Sequence, residues 1–113
     1  MERPTRDRDE IPPGTLYLLI LKTLAREPMH GYGIAERIRS ATGEVLGVEE
    51  GSLYPALQRM LMKGWVTAKW EMTPNNHKAR YYTLTANGRR QLGQEIEQFR
   101  RVMGAIQRAI QAT

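Results

Sequence analysis

Residues 48–64, VEEGSLYPALQRMLMKG, have the residue spacing of an amphipathic helix that ends in a tight turn. The apolar side chains that recur on one face of this helix belong to Leu53, Leu57, Met60 and Leu61. The residues that project from roughly the opposite side are Ser52, Pro55, Arg59 and Lys63. We predict that Ser52 is the N-cap, that Pro55 falls in the first turn and that Gly64 follows the last turn.

The two faces of this helix suit two different roles. One face can pack into a core while the other presents short side chains and fixed positive charge, as a helix in the major groove of DNA requires. The same pattern is also typical of a solvated helix that carries Arg59 and Lys63 on its surface. The flanking segments have to distinguish these interpretations.

The composition limits the chain to one small basic domain. It has 113 residues, a net charge of +5 and a pI of about 9.9, which favours a polyanionic partner. There is no cysteine, which excludes disulfides and thiolate metal sites, and we expect no cofactor. The longest apolar run, residues 16–21, is too short to cross a bilayer, and no signal peptide is visible. We therefore expect a cytoplasmic protein with no membrane partner.

The first 13 residues, MERPTRDRDEIPP, mix both charges with three prolines and show no periodicity. We predict that residues 1–13 form a flexible arm. Arg3, Arg6 and Arg8 could touch phosphates, although neighbouring acidic residues partly cancel their charge, and a solvated tail is the simpler interpretation.

Two further helices precede the stretch quoted above. The first is predicted over residues 15–26, with Leu18 and Leu21 widening its apolar face so that it meets two neighbours. The second is predicted over residues 32–41, after the glycine-rich turn at 29–33. A structural hydrogen bond is the expected role of His30 in that turn.

After Gly64 the apolar pattern changes to alternation, which predicts strands over residues 65–71 and 79–84 and a polar tip between them. Three helices followed by a hairpin is the order of a winged helix-turn-helix, which we assign to residues 14–85. Asn76, Lys78 and Arg80 would lie on the wing and contact DNA, unless the tip is merely a solvated loop. The predicted fold class is mainly α with a small β-hairpin (α+β).

The last helix is predicted from residue 86 almost to residue 113, with Thr85 as its cap. Its apolar residues step by three and four, as in a heptad seam. Pairing with a second copy is the interpretation we favour, and folding back on the first helix is the alternative. The predicted dimer interface comprises Leu18, Leu21, Leu92, Ile96, Phe99, Met103, Ile106 and Ile110.

Four motifs occur in order along the chain: residues 14–16 (GTL), 30–34 (HGYGI), 51–57 (GSLYPAL) and 80–88 (RYYTLTANG). Together they resemble the PadR family of transcriptional regulators, in its smaller subfamily with one short C-terminal helix. The resemblance covers about residues 14–110. It implies a homodimeric winged-helix repressor that binds a pseudo-palindromic operator in double-stranded DNA. The resemblance also implies a possible effector, because some relatives bind planar aromatic or amphipathic molecules near the dimer interface, which relieves repression, while others have no known effector.

Carried over residue by residue, the resemblance implies that the third helix enters the major groove. Its residues at or near DNA would be Gly51, Ser52, Tyr54, Pro55, Arg59 and Lys63. Tyr54 could donate a hydrogen bond to a phosphate or pack its ring against the second helix. Glu49 and Glu50 depart from the family pattern, in which neutral or small residues are common just before the third helix. Carboxylates suit a helix N-terminus, but they would repel phosphate if they faced DNA.

Two other classes of function were weighed. A winged-helix module that binds a protein partner instead of DNA would use the same fold, although the basic third helix argues against it. An enzyme is disfavoured, because no nucleophile–base pair, phosphate-cradling loop or metal-ligand cluster can be assembled from the sequence.

Overall fold

The computed structural model describes residues 8–112, and within them four helices surround a small antiparallel sheet. The elements are β1 (Asp9–Glu10), α1 (Leu16–Leu24), β2 (Met29–His30), α2 (Gly31–Ala41), β3 (Leu46–Gly47), α3 (Glu50–Met62), β4 (Val66–Met72), β5 (Lys78–Leu84) and α4 (Ala86–Ala112). This arrangement confirms the predicted α+β fold class.

The hydrophobic core lies between α1, α2 and α3 and is closed on one side by the sheet. Its fully buried members include Ile20, Leu21, Ile34, Ile38, Leu53, Leu57 and Met60. Leu21 is 0% exposed within its own chain. Its assignment to the dimer interface was therefore wrong, because the side chain faces the core.

The sheet contains the predicted hairpin and one strand more. In the hairpin, β4 pairs with β5 from Val66 opposite Leu84 to Met72 opposite Lys78. The short β2 then adds to the other edge of β5, with His30 opposite Tyr81. Two-residue strands carry no alternation pattern, so sequence periodicity could not indicate β2.

The glycine-rich turn leads directly into α2. The His30 imidazole is the N-cap of this helix, and its Nδ1 accepts a hydrogen bond of 3.0 Å from the backbone N–H of Gly33. This bond satisfies one of the N–H groups that the first turn of a helix leaves without a partner. The structural role predicted for His30 is confirmed.

The chain before α1 is bound to the domain from residue 8 onward. β1 pairs in parallel with β3, and the backbone N–H of Asp9 donates to the carbonyl of Val45 at 2.7 Å. The guanidinium of Arg8 also donates to the carboxylate of Glu44. The prediction of a flexible arm was therefore wrong for residues 8–13, while Arg3 and Arg6 lie outside the described residues.

The start of α4 is bound to the end of α3 through Thr85. The Thr85 hydroxyl donates to the Gly64 carbonyl at 2.7 Å and accepts from the backbone N–H of Gly88 at 3.0 Å, which confirms the predicted cap. Gly88 is buried, and a Cβ there would lie 2.2 Å from the carbonyl oxygen of Trp65. This contact seats the first turn of α4 against the strand that follows α3.

Only the first part of α4 packs on the domain. Leu92 is 9% exposed and belongs to the core, so its assignment to the dimer interface was wrong, and Ile96 packs partly against the same core. Residues 97–102 and 105–112 are all exposed. Among the helices of residues 8–112, none is long and apolar enough to cross a membrane.

Candidate nucleic-acid interface

The third helix is anchored by a continuous apolar stripe. Leu53, Ala56, Leu57 and Met60 are at most 1% exposed and face the core. Because these residues recur at spacings of three and four, the opposite side of α3 is left at the surface. The predicted division of this helix into a buried and an exposed side therefore holds in the structure.

The beginning of α3 differs from the prediction in two respects. The helix starts at Glu50 with Glu49 as its N-cap, so Ser52 lies inside the first turn and does not cap it. Pro55 is consequently the sixth helical residue, one turn later than predicted. A proline there has no N–H to donate to the carbonyl of Gly51, which leaves that carbonyl free of its usual intrahelical bond.

The exposed side of α3 has a central row. Gly51, Pro55, Gln58 and Met62 are all exposed and follow one another at spacings of four, three and four. This row lies opposite the buried stripe. Sequence reasoning missed Gln58, although the spacing from Pro55 would have indicated it. Met62, at 78% exposure, is the most exposed large apolar residue of this helix.

Tyr54 lies on one flank of this row and is held by α2. A Cβ built on Gly31 would lie 2.5 Å from the Tyr54 hydroxyl oxygen, which shows how closely the ring approaches the α2 backbone. Of the two roles weighed for Tyr54, packing against the second helix is the one observed. Burial raises the pKa of the Tyr54 phenol, and the nearby Glu50 carboxylate adds to the shift.

Arg59 lies on the other flank and is held by α1. Its Nε donates a hydrogen bond of 2.6 Å to the hydroxyl oxygen of Tyr17. The Tyr17 ring in turn meets Trp65 edge to face, with 5.4 Å between ring centroids. The guanidinium is thus held beside the exposed row, with its two terminal nitrogens still available as donors.

Lys63 follows the last turn of α3 as its C-cap residue. Its ammonium group stands 5.3 Å from the centre of the Trp65 ring, at a cation–π distance. Lys63 therefore lies near the end of the exposed side, as predicted, but not within the central row.

The tip of the hairpin is a tight, exposed turn. Asn76 has a φ of +67°, a left-handed conformation that asparagine tolerates better than most residues. The backbone N–H of Thr73 closes the turn by donating to the carbonyl of His77 at 2.6 Å. The structure thus gives Asn76 a conformational role in addition to its exposed position at the tip.

The predicted wing cations lie on the hairpin face that is turned towards Tyr54 of the third helix. Arg80 lies opposite Trp70 in the β4–β5 register, so both side chains, and that of Lys78, project from one face of the hairpin. This face borders an open cleft of about 890 Å³ that also reaches Tyr32 and Tyr54. The structure therefore brings Lys78 and Arg80 together with one flank of α3 around a single concave surface.

Along α3 the acidic groups lie only at its start, and Glu36 of α2, which is paired with Arg39, also lines the cleft. Glu49 and Glu50 are both exposed at the start of α3, next to the helix N-terminus, where negative charge is favourable. They lie one turn or more before Gln58 and Arg59. The charge along the exposed side thus changes from negative at the start of the helix to positive at its end.

A second exposed surface runs along the distal part of α4. Phe99, Val102 and Ile106 are 37%, 46% and 45% exposed, and Met103 is half-buried. Ile110 is 68% exposed. Val102 was missed by the seam prediction, although it is one turn before Ile106. Leu18 on α1 is half-buried and remains accessible in part.

The comparison with protein families agrees with this geometry. Residues 20–94 match the model of the transcriptional regulator PadR-like family. The chain belongs to the PadR-like family. This family consists of transcriptional regulators and not of enzymes, which confirms the earlier prediction on both points. Within residues 8–112 of this PadR-like chain, no group of histidine and acidic side chains could hold a metal ion.

Solved structures of other PadR-like and related regulators share this fold. A transcriptional regulator from Clostridium thermocellum, Cth-833, superimposes with a TM-score of 0.77 at 25% identity, over 84% of this chain and 92% of that one. PadR from Bacillus subtilis, in complex with operator DNA, gives a TM-score of 0.65 at 23% identity, over 76% of this chain and 48% of that one. At that identity the second likeness concerns the fold alone.

A longer relative contains a similar segment. A 37.1 kDa protein in transposon TN4556 of Streptomyces fradiae is 36% identical over 91 residues, which is 79% of this chain. The PadR-like chain spans only 24% of the length of that protein.

Proposed function

We propose that this protein is a homodimeric, sequence-specific DNA-binding repressor that acts on a pseudo-palindromic operator. The observation that carries the proposal is the position of α3. Its apolar stripe is packed in the core and its opposite side stays exposed, while one flank, at Tyr54, borders the same cleft as the wing cations. Such a helix can enter a major groove while the wing contacts the sugar–phosphate backbone.

The proposed contacts divide into two groups. Lys63, Lys78 and Arg80 neutralise phosphates, and Arg59 supplies a further cation beside the groove. Gly51, Ser52 and Pro55 have small side chains, so the helix can approach the bases closely at its start. Tyr54, which is packed against α2, lines the cleft and would lie beside the sugar–phosphate backbone of the bound DNA. Asn76 lies at the tip of the wing and would contact DNA there.

The proposed dimer forms through the distal part of α4. A segment of about 16 residues, or roughly 24 Å of helix, has apolar residues exposed that a second copy would cover. The proposed contacts comprise Leu18, Ile96, Phe99, Met103, Ile106 and Ile110, with Val102 added. A two-fold dimer then offers two copies of α3 to half-sites about 34–36 Å apart, or a multiple of that distance.

The decisive experiment measures binding to duplex DNA as a function of salt. Specific binding with a steep, linear decrease in log affinity against log salt is expected, and Lys78→Ala should lower that slope by about one and weaken binding to all sequences alike. Lys22→Ala, an exposed lysine on α1, is the matched control and should leave the slope unchanged. Absence of salt-sensitive DNA binding by the unaltered protein would favour the alternative, a module that binds a protein partner.

Release by a small aromatic effector is supported by the family resemblance alone. Screening planar aromatic compounds for displacement of bound operator DNA tests that part of the proposal. The proposed site of action is the cytoplasm.

A further inference from the structure

We infer that Gln58 is the residue of α3 that reads a base edge, and that the base it reads is an adenine in the major groove. This inference rests on the proposed DNA binding and goes beyond it. It assigns sequence recognition to one side chain that neither the sequence motifs nor the family resemblance selected.

Gln58 lies on the side of α3 opposite the core. Gly51, Pro55, Gln58 and Met62 form the row furthest from the buried stripe of Leu53, Leu57 and Met60. When a helix lies in a groove with its buried side towards the protein, this row faces the floor, where the base edges are. Gln58 is the ninth of the 13 residues of α3, so it lies away from both ends of the helix.

The side chains of this row differ in the hydrogen bonds that they can make. Gly51 has no side chain, Pro55 has no donor, and the thioether of Met62 is only a weak acceptor. Gln58 has both a carbonyl acceptor and an NH₂ donor on one planar amide. Within the row it is therefore the residue equipped to distinguish one base pair from another by hydrogen bonds.

Tyr54 and Arg59, which flank the row, are each held by a neighbouring helix. The Tyr54 ring is packed against Gly31, and the Nε of Arg59 is bonded to the Tyr17 hydroxyl. Both side chains are thus directed to the sides of the row, where the walls of the groove and its phosphates lie. The Gln58 side chain is exposed in the middle.

Adenine follows from the geometry of the amide. A glutamine amide can donate to N7 and accept from the N6 amino group of adenine at the same time, and a good bidentate pair discriminates against other bases. Because the amide is uncharged, its contribution adds sequence preference without adding to the salt dependence.

The test begins with selection of preferred duplexes from a randomised library by the unaltered protein. Competition binding then compares the selected duplex with versions changed at each base pair. Gln58→Ala should remove the preference at one A·T pair per half-site, a loss of about tenfold or more in discrimination, while nonspecific affinity and the salt slope stay unchanged. Gln58→Glu should move the preference at that position towards cytosine, whose N4 amino group a carboxylate can accept from.

Gln94→Ala is the matched control, because Gln94 is exposed on the side of α4 opposite the seam. This substitution should leave the selected DNA motif intact. A motif that survives Gln58→Ala unchanged would overturn the assignment while leaving DNA binding in place. So would a motif whose base preference is for G·C and is removed by Arg59→Ala but not by Gln58→Ala. An unaltered protein that enriches no motif would overturn the inference together with the proposed function.

Discussion

The phenol ring of Tyr54 on α3 lies directly against the backbone of Gly31, the first residue of α2. A Cβ on Gly31 would come within 2.5 Å of the Tyr54 hydroxyl oxygen and 2.7 Å of the ring carbon Cε1. Real Cβ atoms do not approach other heavy atoms so closely, so the absence of a side chain at position 31 sets the distance between the two helices here. The orientation of α3 relative to α2 therefore depends on this pair.

We expect Gly31→Ala to push the Tyr54 ring aside and lower the free energy of unfolding by about 1–2 kcal/mol, as overpacking does. In a Tyr54→Ala background the same substitution should be neutral or slightly stabilising, because alanine favours helix more than glycine does. Chemical denaturation of the four proteins of this cycle measures the coupling. Gly93→Ala, at an exposed helical position with no atom near its Cβ, is the control. Equal costs of Gly31→Ala in both backgrounds would contradict the proposed contact.

The bond between Arg59 and Tyr17 gives a second prediction. Tyr17→Phe keeps the ring that packs on Trp65 and removes only the hydroxyl that orients Arg59. We expect specific DNA affinity to fall by roughly threefold to tenfold, because Arg59 loses its preorganised position. The free energy of unfolding should change by less than about 1 kcal/mol, since the bond is exposed to solvent.

Fluorescence anisotropy with labelled duplex and thermal unfolding together check this result. Tyr81→Phe, which removes a hydroxyl from the outer face of the hairpin, is the control and should leave affinity unchanged. If Tyr17→Phe lowered stability and affinity by the same free energy, the role of Tyr17 would be in folding and not in positioning Arg59.

The exposed seam of α4 gives a third prediction. Phe99→Asp places a charge among apolar side chains that a second copy would cover, and a buried unpaired charge is costly. We expect the dimer to dissociate at micromolar concentration, with operator affinity reduced about 100-fold or more, because each half-site is then bound independently. Sedimentation velocity measures the oligomeric state.

The domain itself should remain folded in this variant, because Phe99 lies beyond the part of α4 that packs on the core. Gln94→Asp adds the same charge on the opposite side of α4 and should leave the oligomeric state unchanged. A dimer that persists in Phe99→Asp would mean that the interface lies on another surface.

The contact between Arg8 and Glu44 gives a prediction for pH. The hydrogen bond from the Arg8 guanidinium lowers the pKa of the Glu44 carboxyl below its usual range, and the charge of Arg39 acts in the same direction. A lowered pKa means that the ionised carboxylate favours the docked β1. That stabilisation is present above the ordinary glutamate pKa and is lost as the pH falls through the lowered value.

An NMR titration of the Glu44 carboxyl should therefore show a pKa below that of an ordinary glutamate. Arg8→Ala should move that pKa back towards the ordinary range and speed exchange of the Asp9 amide, which bonds to Val45. Arg26→Ala, a change at an exposed arginine after α1, should alter neither quantity. An unchanged Glu44 pKa in Arg8→Ala would show that Arg39 alone controls the group.

Much of the fold was predictable because its signals are local. The stripe of Leu53, Leu57 and Met60 predicts a helix with a buried side, and the alternation after Gly64 predicts the hairpin. The cap at Thr85 was predictable as well, because a hydroxyl residue just before a helical run bonds to its first turn. In each case the pattern that carries the prediction spans only a few neighbouring positions.

Other predictions failed where contacts join distant parts of the chain. The pairing of β1 with β3 involves only two residues in each strand, which is too few to form a sequence pattern. The segment that contains β1 was therefore predicted to be a flexible arm. Leu92 fits the seam of α4 by spacing and Leu21 widens the apolar face of α1, but both side chains are buried in the core of their own chain, where α4 packs on α1. Helical spacing gives the side of a helix on which a residue lies, whereas burial depends on what packs against that side.

By itself the sequence determined the four helices and the hairpin in their order, the two sides of α3 and the family motifs, because periodicity and capping act within a turn or two of chain. Only the tertiary structure decided which exposed side chains are free and which are held. Arg59 is held by Tyr17, 42 positions earlier, and Tyr54 by the bare backbone of Gly31, while Gln58 remains exposed between them. Such contacts depend on how whole helices pack, which no local pattern of residues specifies.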